Sequence, residues 1–240
     1  AADDAAIATD KGALLAGGQA GFGNYSNYSR GINGIMIDIA GLPGTPTIDD
    51  FEFRVGNDNT SGNWSSAPLP ASITRRAHAG TGGSDRVTLT WADGAIQNEW
   101  LEVRVKATAV TGLVTDNVFY FGNSVGETGD SSGIAVVNAT DEIAVRNHQR
   151  SFDNPAPIDF AFDINRDGFV NATDQILARA NAGRIASSLS MIGPNPLISA
   201  SAAPQVLDDI AAGIAAVGES TKRLAGDAVL VRQAALLVGP

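Results

Sequence analysis

Ten consecutive residues, Val137-Asn138-Ala139-Thr140-Asp141-Glu142-Ile143-Ala144-Val145-Arg146, recur 33 positions later as Val170-Asn171-Ala172-Thr173-Asp174-Gln175-Ile176-Leu177-Ala178-Arg179, with seven identities. Both copies must satisfy one local geometry, and that constrains the chain more than any other feature. Each Thr-Asp pair opens a helix-like stretch, with the Asp in a first turn where the helix dipole favours a carboxylate.

What precedes the second copy gives that geometry a chemistry. Asp163-Ile164-Asn165-Arg166-Asp167-Gly168-Phe169-Val170-Asn171-Ala172-Thr173-Asp174 carries side-chain oxygens at positions 1, 3, 5, 9 and 12 of a 12-residue loop. Gly168 at position 6 permits the sharp turn, and Phe169 at position 7 offers a backbone carbonyl. Calcium takes six to eight oxygens, and a tight loop with this alternation supplies them. Asp163, Asn165, Asp167, Phe169, Asn171 and Asp174 are therefore the expected ligands of a Ca2+ ion. The prolines of Asn154-Pro155-Ala156-Pro157 exclude an entering helix, which leaves a loop followed by an exit helix from about Thr173 to Ala182.

The first copy departs from this pattern. The 33-residue offset puts Asp130 at position 1, Ser132 at 3, Ile134 at 5, Val136 at 7, Asn138 at 9 and Asp141 at 12. Ile134 cannot ligate and Ala135 replaces the glycine. Asn123 and Glu127 lie just upstream and would supply the missing oxygens if this loop is enlarged, making a second Ca2+ site.

Before the repeats the periodicity changes. Ile35, Ile37 and Ile39 alternate with Met36 and Asp38, and Phe51, Phe53 and Val55 with Glu52 and Arg54. Val87, Leu89 and Trp91 alternate with threonines, and Leu101, Val103 and Val105 with Glu102, Arg104 and Lys106. A period of two with one apolar face marks half-buried strands. Turn clusters separate them, so residues 1–117 are expected to form an all-β antiparallel sandwich, with a barrel as the alternative. Residues 118–190 would be a small α-helical calcium module. Residues 191–240 would be a linker and a helical tail, with Val206, Leu207, Ile210, Ile214 and Val217, then Leu224, Ala228, Val231, Ala235 and Leu236, at helical spacing.

Composition narrows the function. No cysteine is present, which excludes a disulfide scaffold, a thiolate metal site and a thiol nucleophile. The net charge of −10 disfavours nucleic acid as a partner and favours hard cations. No apolar run reaches the roughly 18 residues of a membrane span. The opening Ala1-Ala2-Asp3-Asp4 has no signal-peptide character, as expected if a signal was removed or the chain is part of a longer precursor. His78 and His148 have no nucleophile or acid at recognisable spacing, and the carboxylate pairs Asp49/Asp50 and Glu99/Glu102 read as a turn and a polar strand face; no catalytic site is expected. Tyr25, Tyr28, Trp64 and Trp100 are candidates for a sugar-stacking platform.

A repeated loop and exit helix with Asp at position 12 resembles a type I dockerin, over about 70 residues. The strings Val118-Phe119-Tyr120-Phe121-Gly122-Asn123-Ser124-Val125-Gly126-Glu127-Thr128-Gly129 and Ser151-Phe152-Asp153-Asn154-Pro155-Ala156-Pro157-Ile158-Asp159-Phe160 look like dockerin modules of large planctomycete surface proteins, and Asn27–Met36 resembles the β-module before them. The resemblance implies a cohesin-like protein partner, met through positions 10 and 11 and the exit helices: Ala139, Thr140, Ala172 and Thr173, with Arg146, Arg179 and Arg184. It implies a non-enzymatic, extracellular or cell-surface protein of assembly or attachment. The alternatives are the accessory end of a polysaccharide-degrading enzyme, with a glycan as further partner, and a self-assembling fibre or matrix subunit whose partner is another copy of the chain.

Overall fold

The computed structural model describes residues 2–131, 133–183, 188–193 and 230–238. Two sheets built mostly of antiparallel strands carry the N-terminal part, in line with the expected sandwich. The strands are β1 (Leu14–Leu15), β2 (Tyr25–Ser26), β3 (Gly34–Ala40), β4 (Phe51–Gly56), β5 (Ser65–Ser66), β6 (Ser72–Arg76), β7 (Asp85–Thr90), β8 (Trp100–Val105), β9 (Asn117–Asn123) and β10 (Leu230–Leu237). One sheet runs β1-β9-β8-β4-β5, with β2 lying parallel on β9; the other runs β10-β3-β7-β6.

The alternation read from the sequence decides which faces meet. Ile35, Ile37 and Ile39 of β3, Val87 and Leu89 of β7, Phe51 and Phe53 of β4, and Leu101, Val103 and Val105 of β8 all enter one core. Burying such side chains stabilises by about 1.5–3 kcal/mol each, so a one-residue register slip would be costly on every strand. The opposite faces are covered too. Met36 packs with Ala6, Ile7 and Leu237, while Asp38 accepts from Arg86 (Nε to Oδ1, 2.7 Å) and from the Thr81 N–H (2.8 Å).

Two helices follow the sheets: α1 (Ala139–Asn147) and α2 (Ala172–Asn181). Each copy of the repeat opens its helix in the same way. Asn138 and Asn171 are the N-caps, each accepting at 2.7 Å from the N–H two residues on, in Thr140 and Thr173. Asp141 and Asp174 reach back to the cap N–H at 2.8 and 3.0 Å, which completes a reciprocal capping box. A small separate core of Val125, Val145, Ile164, Val170 and Ala178 lies beneath the helices.

Three features differ from the sequence reading. The boundary expected between residues 117 and 118 falls inside β9, whose Phe119 and Phe121 are core residues of the sheets. The second expected tail helix is in part a strand: Val231, Ala235 and Leu236 lie in β10, paired antiparallel with β3 from Leu230↔Ala40 to Leu237↔Gly34. The run fits either period, and the open β3 edge decides, because as a strand it buries Leu236 and Val238 in the main core. The other expected tail positions, Val206 to Val217, Leu224 and Ala228, lie outside the described residues. Finally, residues 188–193 strap the module to the sheets. Trp100 Nε1 donates to the Ser190 carbonyl at 2.7 Å, and Leu189 and Ile192 cover Tyr25 and Trp100.

Candidate metal centre

In the second loop two residues take left-handed backbone: Arg166 at φ 56° and Gly168 at φ 84°. Such turns coil the segment so that its carboxylates collect backbone N–H groups. Asp163 accepts from Asp167 (3.2 Å) and Gly168 (2.9 Å), and Asp167 accepts from Phe169 (2.8 Å). Asn165 Nδ2 donates to Asp167 at 2.8 Å. Asp174, at the far end of the loop, accepts from the N–H of Ile164 at 2.9 Å and so folds back on the loop entrance. Asp163 and Asp174 are both buried. Burial pushes the Asp163 carboxyl up to about 6, against the pull of the Gly168 N–H. It raises Asp174 as well, against the N–H groups of Asn171 and Ile164. The buried Arg166 guanidinium offsets part of this cost, but burial still outweighs it at both carboxyls, an arrangement that a divalent cation would relieve.

The first loop repeats that closure with a different register. Asp141 Oδ1 accepts from the Thr128 N–H at 2.8 Å, as Asp174 Oδ1 does from Ile164, while the other oxygens of both accept from their cap residues. Thr128 thus stands where Ile164 stands, and Glu127 takes the place of Asp163. Glu127 to Asp141 counts 15 residues where Asp163 to Asp174 counts 12. The 33-residue offset, which put Asp130 at position 1, holds from Val137 onward and fails at the loop entrance because of this three-residue enlargement. Sequence identity could not locate the enlargement, since it lies in the non-identical part of the repeat.

The enlarged loop gathers its acids closely. Among the described residues, Glu127, Asp130 and Asp141 are three carboxylates with oxygens within 4.8 Å of one another. Glu127 and Asp141 are buried and Asp130 is exposed. The Tyr25 hydroxyl donates to Glu127 Oε2, and the Gly129 N–H donates to Oε1 at 2.9 Å. Burial raises the Glu127 pKa against those two bonds, and burial together with the Glu127 charge raises that of Tyr25.

Other expected residues take different places. Asn123 is fully buried in the sheets; its Nδ2 donates to Ser26 and Tyr28, and its Oδ1 accepts from the Asn98 N–H at 3.1 Å, so it belongs to the sandwich junction and not to the loop. Val136 lies just before the α1 cap, its carbonyl accepting from Asn138 Nδ2 at 3.2 Å. Ser132 and Arg184 lie outside the described residues. Ala139, Thr140, Ala172 and Thr173 are exposed on the first turns of the helices, and Arg146 is exposed on α1. Arg179 is also exposed but is engaged, its Nε donating to Glu142 of α1 at 3.1 Å.

The aromatic platform is not formed. Tyr25, Tyr28 and Trp100 are fully buried and Trp64 nearly so, because their rings pack under the 188–193 strap and within the cores. His148 stacks on Phe162 at 3.9 Å between centroids, and the His78 side chain is exposed on a turn. No protein-family model, curated protein or solved structure matches this chain. No helix among the described residues is long and apolar enough to cross a membrane.

Proposed function

We propose that this chain is a non-enzymatic, calcium-binding protein of the cell surface or extracellular space that assembles or attaches through a dockerin-like pair of loops. The observation that carries the reading is the matched closure of the two loops, in which Asp141 and Asp174 make equivalent bonds to the loop entrance and to the helix cap. Each closure brings further carboxyl groups alongside, Glu127 and Asp130 in one loop and Asp163 and Asp167 in the other. In the first loop the carboxylate oxygens lie within 4.8 Å of one another, and two like charges at about that separation repel by about 3–4 kcal/mol at an effective dielectric of about 20. A divalent cation turns that repulsion into attraction. The donors are all oxygens, which suits a hard cation such as Ca2+ and not a metal that seeks nitrogen or sulfur.

In this reading the cation orders the loops, and the exposed helix starts at Ala139-Thr140 and Ala172-Thr173, with Arg146, present the face that meets a cohesin-like protein. Titration of chelator-stripped protein with Ca2+ by calorimetry, followed by a thermal melt, tests it. The expected result is saturable heat at one or two sites and a higher melting temperature. Absence of both, with magnesium behaving identically, overturns it.

A further inference from the structure

The slot beside β3 fits one side chain closely. Leu237 sits opposite Gly34, and a Cβ on Gly34 would meet Leu237 Cδ1 at 2.5 Å, so the glycine is a socket for that leucine. Leu236 and Val238 enter the main core on the other face, both with no exposed surface. The strand is held along its far side as well, with the Ala8 N–H donating to Leu236 at 3.0 Å and the Val238 N–H to Ala6 at 2.9 Å. Without β10, β3 would be an edge strand, and its residues from Gly34 to Ile39, all buried in the complete sheet, would be an invitation to pair with another chain.

What assigns β10 to its own sheet is the connection. Thirty-six residues separate Gly193 from Leu230. A segment joined to its own sheet competes at an effective concentration that the length of the connection limits, at most on the order of mM. The slot reads only side-chain fit and ladder bonds, and these are the same whichever copy supplies the strand. The tether alone favours the strand of the same copy, and crowding copies together removes that advantage.

We propose that β10 is an exchangeable strand and that the partner it fits is a second copy of this chain, which lends residues 230–238 to the β3 edge. Reciprocal exchange closes a two-fold dimer, and one-way exchange extends a chain of subunits. The inference stands on the sheet alone and is independent of cation binding.

The chain lacks cysteine, so introduced thiols report strand pairing without background. Ala40 and Leu230 face each other in the register. Ala40→Cys and Leu230→Cys are placed in separate full-length chains, mixed at about 1 mM, the upper end of what a tether of this length can supply, and oxidised. The expected product is a disulfide-linked dimer joining position 40 of one chain to position 230 of the other. Its yield should rise with concentration and fall when a peptide spanning residues 228–240 is added. The chain bearing both substitutions, when dilute, should close within itself. If the mixed chains give no such dimer at any concentration while the doubly substituted chain closes internally, the proposal is overturned. Should the substituted chains fail to fold, light scattering of the unmodified chain, refolded concentrated and then diluted, decides instead: a trapped dimer supports exchange and a monomer throughout refutes it.

Discussion

Arg166 donates from Nη2 to the Oδ1 of Asn27 at 2.8 Å, across 139 positions of sequence and across the junction between the second loop and the sheets. Both side chains are buried, and Asn27 also donates to the Ala161 carbonyl while its own carbonyl accepts from Gly126 of the first-loop side. One asparagine of the sandwich thus holds both loops. Next to it the Ser29 N–H donates to Ile164 at 2.9 Å, and Ser26 accepts from Ser124 at 2.8 Å. The helices and loops have their own small core but share this seam.

Asn27→Ala should therefore cost about 2–3 kcal/mol, because the buried Arg166 guanidinium loses its 2.8 Å bond and keeps only the 3.4 Å bond to the Phe160 carbonyl. Urea unfolding followed at the sheet and at the helices should show one shifted transition. Two separate transitions, with the sheets unmoved, would mean that the seam carries no coupling.

Tyr25→Phe removes the hydroxyl that donates to buried Glu127. In chelator the loss should be about 1–3 kcal/mol, the cost of an under-satisfied buried polar group. With calcium present the deficit should shrink, since the cation would take over as the partner of Glu127. Denaturant midpoints measured with and without calcium give the comparison.

Asp174→Ala should act twice. The helix loses its capping carboxylate, at about 0.5–2 kcal/mol even in chelator. The variant should also lose the part of calcium stabilisation that comes from the second loop; one site at a hundredfold excess over its Kd is worth about 2.7 kcal/mol. Calorimetric melts in calcium and in chelator separate the two effects. An undiminished calcium shift in the variant would remove Asp174 from the ligand set.

The pH response in chelator follows from Asp163, with Asp174 and Glu127, which burial raises as well, acting in the same direction. The Asp163 carboxyl is raised from 3.8 to about 6 in the folded chain. The folded state then keeps a proton that the unfolded state releases, so stability is full below about 3.8 and declines as pH rises through about 6. Asp38 and Asp85 are shifted downward, so their contributions are complete above 3.8 and do not oppose this trend. The melting temperature in chelator should fall between pH 4 and pH 6.5, and Asp163→Asn should flatten the slope; an unchanged slope would acquit Asp163.

Gly34→Ala should cost about 1–3 kcal/mol by overpacking against Leu237. In the double variant with Leu237→Ala the two losses should add to less than their sum, because the shortened side chain leaves room for the new methyl. Strict additivity in thermal melts would place Leu237 away from its socket.

The sequence by itself determined the local structure. The alternation at Ile35–Ile39 and Leu101–Val105 named the core faces, since side chains in a strand must take opposite sides. The repeated Asn-Ala-Thr-Asp named the helix starts, and the spacing of Asp163 to Asp174 named the second loop, because both depend on residues within a dozen positions. Tertiary structure decided what depends on distant partners. It placed Glu127 at the entrance of the first loop, through the Tyr25 hydroxyl that donates to it and the neighbouring Thr128 N–H that donates to Asp141, where a 33-residue offset pointed to Asp130. It drew Asn123, Tyr25 and Trp100 into buried junctions, and it made Leu230–Leu237 a strand although its apolar spacing also suits a helix. In each case the local pattern allowed more than one conformation. The choice went to the one that satisfied a buried hydrogen-bonding group or filled an edge from far along the chain.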